Sequence, residues 1–394
     1  MSETTCPIAP DRDDRRSAAI AEAEAHPEPG FAPVRTYDFA REIMRSPAIR
    51  QGMEVGFFAG KDPSRVPVIF LDGEVHKKRR AQIARYFTPK AIKDRHMQVM
   101  ERTTAELMAQ FRRDGRAQLD VMSLRLASDV AAEIVGLTSS DASAMSERLR
   151  KKFQASSKGK RPGLAGKLGK LEDIARTLWF MRKDVVPAIR EREKTDHDDV
   201  ISYLVREGLS DQEILVECMT YATAGMITTR EFIVMVAWQL LEKEDLRRQF
   251  LEGGEDMQFA ILEEILRIDP VAAYVYRRAE EDMTTSDGRV VKAGEQFLID
   301  IRNINVDEAA TGACPFAIDP ERAKRQRMTS SWLSFGDGPH RCPGAQVALH
   351  ETRVFIDALL RVPGIRLARP PEMGWIEEIN GYELHGAIVE CDRG

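Results

Sequence analysis

The 394-residue chain lacks an apolar run long enough to cross a bilayer. Its most apolar stretch, Phe232 to Leu241, contains Gln239 and is about half the ~20 residues that a spanning helix needs. The start, MSETTCPIAPDRDDRR, mixes acidic residues among its arginines and has no apolar stretch after them, unlike a secretory signal or transit peptide. A cytoplasmic protein without a membrane segment is expected. An excess of positive charge is also missing. The 58 Lys and Arg against 63 Asp and Glu give a formal net charge of -5. No global basic surface is available for a polyanion, so nucleic acid is not the expected partner. Cysteine is scarce: Cys6, Cys218, Cys314, Cys342 and Cys391 are odd in number and widely scattered, which argues against a disulfide framework. No CxxC pair offers structural zinc a site. What is present is 43% hydrophobic residues, ample for a sizeable core. At ~150 residues per domain the length allows two or three domains or one large one.

Residues 1 to about 30 are rich in Asp, Glu, Ala, Arg and Pro, and read as a flexible or loosely docked lead-in. The following QGMEVGFFAGKDPSRVPVIFLDGE has no helical period and reads as a long loop, a kind of segment more often functional than idle. Helical patterns then dominate to about 265. SSKGKRPGLAGKLGK at 156–170 reads as a mobile surface loop between helices. Over 213–241, Ile214, Cys218, Ala222, Gly225, Phe232, Val236 and Leu240 recur at spacings of mostly three and four, which predicts one helix ~43 Å long. Its Ala224-Gly225 and Thr228-Thr229 are costly or bending choices inside a helix, and suggest that something needs the room. A helix over about 256–268 ends before Asp269-Pro270. Strand-like runs at 273–276, 290–291 and 296–301 follow, and a last helix runs from near Pro343 to about 361.

Residues 331–345, SWLSFGDGPHRCPGA, form a Gly-rich loop with one cysteine at the mouth of a helix. Free N–H groups and the positive dipole end favour a thiolate there, which is a nucleophile or a metal ligand. Gly336, Gly338 and Gly344 allow close backbone approach, so a flat, bulky partner can lie against the loop.

Phe335, Gly338, His340, Cys342 and Gly344 fit F-x-x-G-x-[RH]-x-C-x-G, which resembles the heme-binding loop of the cytochrome P450 family. Further motifs agree in order. Glu264 and Arg267 match E-x-x-R, and Ala224-Gly225-Met226-Ile227-Thr228-Thr229 matches [AG]-G-x-[DE]-T-[TS] except at Ile227. His76 and Arg80 match H-x-x-x-R. Arg277 matches the arginine of a following strand, and Asn305 and Asp307 fit N-x-D. The resemblance covers about residues 30–390. It implies a mainly α fold with a small β region, the cytochrome P450 fold, with 1–30 as lead-in and 31–394 as a single heme-thiolate domain.

It further implies heme b (iron protoporphyrin IX), with Cys342 as the iron ligand, Phe335 beside the sulfur, and His76, Arg80, Arg277 and His340 as cations for the two propionates. Glu264 and Arg267 would form a structural pair, with Arg322 as a third member. Ala224 and Gly225 would leave space for O2, and Thr228 would deliver protons. An acid normally precedes that threonine; Ile227 cannot serve. Three expectations stay open: water feeds Thr228, Glu231 one turn on replaces the acid, or the reaction is peroxide-driven or otherwise atypical, such as ring coupling or desaturation.

The implied substrate pocket is formed by Phe57, Phe58, Val66, Val68, Ile69 and Phe70, by Tyr221 and Ala222, by Val271, Ala272 and Tyr274, and by the turn near Gly381-Tyr382. That mix suits a mainly hydrophobic small organic substrate. Lys77, Lys78, Arg79, Arg112 and Arg113 are a candidate docking face for a separate ferredoxin or flavodoxin. The expected activity is that of a monooxygenase. A heme-binding gas or redox sensor without turnover is the different-class alternative, and the intact Ala224-Gly225 and Thr228 speak against it.

Overall fold

The structure is a computed structural model that describes residues 30–52, 62, 66–159, 163–328, 331–376 and 379–394. The expected lead-in, and Phe57 and Phe58, lie outside the described residues. Helices prevail, as the patterning predicts. Those used below are α1 (Tyr37–Arg45), α2 (Gly73–Ile83), α3 (Met97–Asp114), α4 (Leu119–Val135), α5 (Ala142–Gly159), α6 (Gly163–Phe180), α7 (Asp211–Tyr221), α8 (Thr228–Glu242), α9 (Gly254–Ile268) and α10 (Ala345–Leu360). No described helix is long and apolar enough to cross a membrane.

The predicted long helix is three pieces. α7 starts at a capping box in which the Ser210 hydroxyl accepts from the Glu213 amide and Glu213 Oε2 accepts from the Ser210 amide at 2.8 Å. A π-helical turn, Ala222–Ile227, follows, and α8 completes the element. Every residue from Thr229 to Leu240 is buried. A helix apolar on all sides belongs in a core, and α8 packs against α4 and α10. The stretch 156–170 corrects an expectation. α5 continues to Gly159 and α6 begins at Gly163, so most of what reads as a loop is the two arms of a helical hairpin. The glycines misled: Gly166 and Gly169 face inward, where small residues let α6 approach its neighbour.

Strands are β1 (Ala32–Val34), β2 (Ile49–Gln51), β3 (Arg116–Gln118), β4 (Tyr274–Ala279), β5 (Met283–Thr284), β6 (Val290–Val291), β7 (Gln296–Asp300), β8 (Arg366–Arg369), β9 (Glu372–Ile376), β10 (Gly381–His385) and β11 (Ile388–Glu390). The largest sheet has the order β1-β7-β4-β2, with β1 parallel to β7 and the other pairs antiparallel. Its register sets Gln51 opposite Arg277. At Gly52 a Cβ would lie 2.5 Å from the Arg277 amide nitrogen, so only glycine lets the chain leave β2 this close to β4. β9 and β10 form a hairpin that Leu384 joins to α8, as described below. Among the described cysteines, Cys218, Cys342 and Cys391 are free and Cys314 is disulfide-bonded.

Behind the Gly-rich loop, Glu264 and Arg267 form the expected pair. Arg267 Nε donates to Glu264 Oε1 at 2.7 Å and Nη2 donates to Oε2 at 2.9 Å. Arg322 joins as the third member, its Nε 3.3 Å from Oε2. The remaining guanidinium hydrogens go to the carbonyls of Asn305, Pro315 and Ala317 from Arg267, and of Thr311 and Cys314 from Arg322. Asn305 extends this network. Its Oδ1 accepts from the Leu333 amide at 3.0 Å and its Nδ2 donates to Ser334 Oγ at 2.8 Å, at the start of the loop that carries Cys342. Asp307 Oδ2 accepts from the Tyr37 amide at 3.0 Å, which ties the same segment to α1.

Candidate active site

Backbone conformation shapes the cysteine loop. The Cys342 amide donates to the Phe335 carbonyl at 2.8 Å and closes it. Gly338 has φ +65°, and a Cβ there would sit 2.2 Å from the Met44 carbonyl oxygen, so the loop lies directly on the end of α1. Asp337 secures the same contact: its Oδ2 accepts from Arg41 Nε at 3.2 Å and Arg45 Nε at 2.8 Å, and its Oδ1 accepts from the Gly338 amide. At Gly344 a Cβ would make only ordinary contact, 3.9 Å from Cys342 Sγ.

Amides of Gly344 and Ala345 and the guanidiniums of Arg80 and Arg341 favour the Cys342 thiolate. Burial outweighs them and pushes the thiol up. The helix mouth therefore does not ionise this sulfur by itself; a coordinated metal ion would, since it displaces the proton outright.

Three chain segments, β2, the start of α2 and β4, converge beside the loop. Arg80 Nη2 donates to the Arg341 carbonyl at 2.6 Å. The rings of His76 and His340 stack with centroids 4.1 Å apart. Gln51 Nε2 donates to His340 Nδ1 at 2.8 Å, and His340 Nε2 then donates to Asp72 Oδ1 at 2.9 Å. Gln51 Oε1 accepts from Arg277 Nη1 at 2.7 Å, so one chain runs from Arg277 through Gln51 and His340 to Asp72. Burial lowers Arg277 to about 10. Its hydrogen bonds go to the Gln51 amide oxygen and its neighbour's carbonyl, and no described carboxylate accepts from it.

A buried guanidinium met only by neutral oxygens suits a carboxylate of a bound group. With Arg80 and the two histidines nearby and a thiol in the loop, the donor set fits a heme. His76 departs from the expected cation: burial, then His340 and Arg80, lower it to about 4, so it offers a neutral N–H. Gln51 and Asp72 are site residues that motif reading misses, because a sheet register and a helix entry bring them here.

The π turn makes the second half of the site. Ala224 is exposed, and Tyr221, Gly225 and Thr228 are half-buried, on a helix whose continuation is buried all round. These four positions share one face, at i, i+3, i+4 and i+7. At Gly225 an added Cβ would make only ordinary contact, 4.0 Å from Ala131 Cβ. Thr228 Oγ1 donates to the Ala224 carbonyl at 2.7 Å, a bond back to the widened turn. Ile227 is buried.

Glu231 is buried, not a solvated helix charge. Its Oε1 accepts from Arg230 Nε at 2.6 Å and its Oε2 accepts from the Leu384 amide at 2.7 Å. Burial raises it to about 7, against the pull of Arg230 and the Leu384 amide, and Glu383 adds to the rise. A carboxyl raised above its ordinary value of 4.5 gives stability that is fully present below 4.5 and lost as pH climbs through 7. Relative to Glu231→Gln, the wild type is therefore expected to lose on the order of 3 kcal/mol of unfolding free energy between pH 4.5 and 8. Urea titrations at stepped pH read this; parallel pH curves for the two proteins would refute it.

Other expected contacts separate. Val68 and Val271 are buried in the main core, Val66 is buried as well, and the Tyr274 ring lies against Trp375 in a smaller cluster. Tyr382 donates its hydroxyl to the Asp269 carbonyl at 2.8 Å and is core. Ile69 is exposed and Phe70 half-buried. In the expected docking face Lys77, Lys78, Arg112 and Arg113 are exposed, but Arg79 is buried in an ion pair with Glu217 and drops out.

A helical protein with a cysteine loop, a cluster of basic side chains and a widened helical turn has a donor set that fits a heme-thiolate site. Residues 257–362 match the family described as Cytochrome P450. The chain is 34% identical over 209 residues to mycinamicin IV hydroxylase/epoxidase of Micromonospora griseorubida, covering 51% of this chain and 50% of that protein. It is 25% identical over 344 residues to cytochrome P450(MEG) of Priestia megaterium, covering 85% and 78%. The match thus spans about half the length of the first relative and over three quarters of the second. The crystal structure of the cytochrome P450 enzyme CYP109B1 from Bacillus subtilis superposes with a TM-score of 0.72 at 24% identity, over 92% of this chain and 93% of that one. The chain belongs to the cytochrome P450 family of oxidoreductases.

Proposed function

We propose that the protein is a heme b monooxygenase of the cytoplasm that inserts one atom of O2 into a mainly hydrophobic small organic substrate. The observation that carries this reading is the buried Arg277, with neutral partners only, in a cluster with Arg80, His76 and His340 beside the Cys342 loop. Bound heme iron supplies activation of O2, one atom going to substrate and the other to water, with two electrons from a separate ferredoxin or flavodoxin and two protons.

The chain's residues do the rest. Cys342 would supply its sulfur to the iron. Arg80 and Arg277 would bind the propionates by charge and His76 would contribute an N–H donor, while His340 stays bonded between Gln51 and Asp72. Phe335 shields the sulfur, and Gly225 keeps bulk away from the O2 side. Thr228 passes protons that water brings along the open face of the turn. Glu231 acts mainly as the anchor of the β9–β10 hairpin, because one of its oxygens accepts from the Leu384 amide and the other is taken by Arg230. Lys77, Lys78, Arg112 and Arg113 are the surface for the acidic electron donor. The relative named a hydroxylase/epoxidase is consistent with oxygen insertion.

A second reading, peroxide-driven or atypical oxidation, draws on one observation: the position before Thr228 is a buried isoleucine and holds no acid. Reduced protein with carbon monoxide tests the first reading, since a thiolate-bound heme gives a red-shifted band and its absence refutes the assignment. Product formation from the same substrate with a surrogate reductase or with peroxide alone then separates the two chemistries.

A further inference from the structure

Arg79 lies in the basic run Lys77-Lys78-Arg79-Arg80 and would be expected in solvent, yet it is buried. Its Nη1 donates to the Val66 carbonyl at 2.5 Å and its Nη2 to Glu217 Oε1 at 2.5 Å. Glu217, also buried, accepts in turn from the Val68 amide. One ion pair thus holds both a carbonyl and an amide of the segment that precedes α2. The far end of that segment has a separate hold, because the Ile69 carbonyl accepts from Gln51 Nε2 at 3.3 Å. Between these holds the chain turns over. Val66, Pro67 and Val68 are buried, whereas Ile69 is exposed and Phe70 half-buried.

On α7, Glu217 stands one turn before Tyr221 and shares the face that continues through Ala224 to Thr228. Burying two charges is costly unless each is fully bonded, and two apolar residues of similar size would serve stability as well or better. The pair is therefore poorly explained by stability alone. What two apolar residues could not do is grip a backbone carbonyl and a backbone amide.

We propose that Arg79 and Glu217 are positioning residues for substrate selection. They fix the Val66–Val68 backbone against α7, so that Ile69 and Phe70 form a wall next to the open face of the helix. The inference rests on the heme-site reading of the Cys342 loop, and the carbon monoxide spectrum of each variant separates failure of that reading from failure of this one. The grip acts on the shape of the pocket; neither residue touches the reacting atoms.

The test uses the full-length holoprotein and two azole probes, imidazole and the bulkier 4-phenylimidazole, whose binding is read from the heme spectrum. The double variant Arg79→Met with Glu217→Leu removes the grip without leaving a buried charge unpaired. It is expected to keep its thermal midpoint and thiolate band and to bind imidazole as the wild type does, while its dissociation constant for 4-phenylimidazole changes by about tenfold or more. Equal changes for both azoles, or none for either, overturn the proposal. Should the double variant lose the thiolate band, Arg79→Lys is read instead by hydrogen exchange at the Val68 amide. Lysine keeps the charge but cannot reach both oxygens in the same geometry. Faster exchange at Val68 than in the wild type supports the grip, and unchanged exchange overturns it.

Discussion

Cys342→Ser is expected to abolish the red-shifted carbon monoxide band and, with it, oxygenation of any substrate. The loop does not depend on the side chain for its closure, because the Cys342 amide, not its sulfur, bonds the Phe335 carbonyl. The variant should therefore fold, and Arg80, Arg277 and His76 should still hold porphyrin. What changes is the ligand: a hard, poorly ionised hydroxyl replaces a soft sulfur that a metal deprotonates. Heme content and band position measured on the same sample check this. A retained thiolate band in Cys342→Ser would remove Cys342 from the iron, and Cys218 and Cys391, both buried elsewhere, are poorly placed to replace it.

The second large effect concerns stability. Glu264→Ala leaves Arg267 and Arg322, with side chains 0% and 2% exposed, as buried cations held by carbonyl oxygens alone. Breaking a buried pair in this way costs about 3–5 kcal/mol. The urea midpoint should fall accordingly with an unchanged slope. The damage should reach the cofactor as well. Arg267 holds the Asn305 carbonyl, and Asn305 holds Leu333 and Ser334, so heme is expected to be lost earlier in the titration than the helical signal. A midpoint within experimental error of the wild type would show that the carbonyl cage alone suffices for the two guanidiniums.

Side-chain chemistry at fixed short spacings was legible in the sequence. The Cys342 loop, the Glu264–Arg267 pair and the Ala224–Thr229 turn each lie within a few residues, and periodicity alone predicts α9 and the strands β4 and β7. What could not be read depends on partners far along the chain. Gln51 meets His340 because β2 pairs with β4 in one particular register. Asp72 reaches His340 because it stands at the start of α2. Arg79 is indistinguishable in composition from Lys77 and Lys78, yet α2 turns it inward to a carboxylate 138 residues away. Gly166 and Gly169 suggest a loop by propensity, whereas helix packing uses them as spacers. Glu231 looks like a solvated charge next to Arg230 until β10 covers it.

The widened turn at Ala222–Ile227 has a consequence for how this pocket can be altered. In a π turn the chain carries one residue more than the α-helical path would need, while the flanking helices keep their own packing faces. The room beside Ala224 is thus set by residue count along the backbone. Trimming side chains around it would enlarge the room only at its edges. Excising a single residue from the turn would let α7 run into α8 without a step, and would close the room from the backbone side. The open side of this element is, in that sense, written as an insertion between α7 and α8.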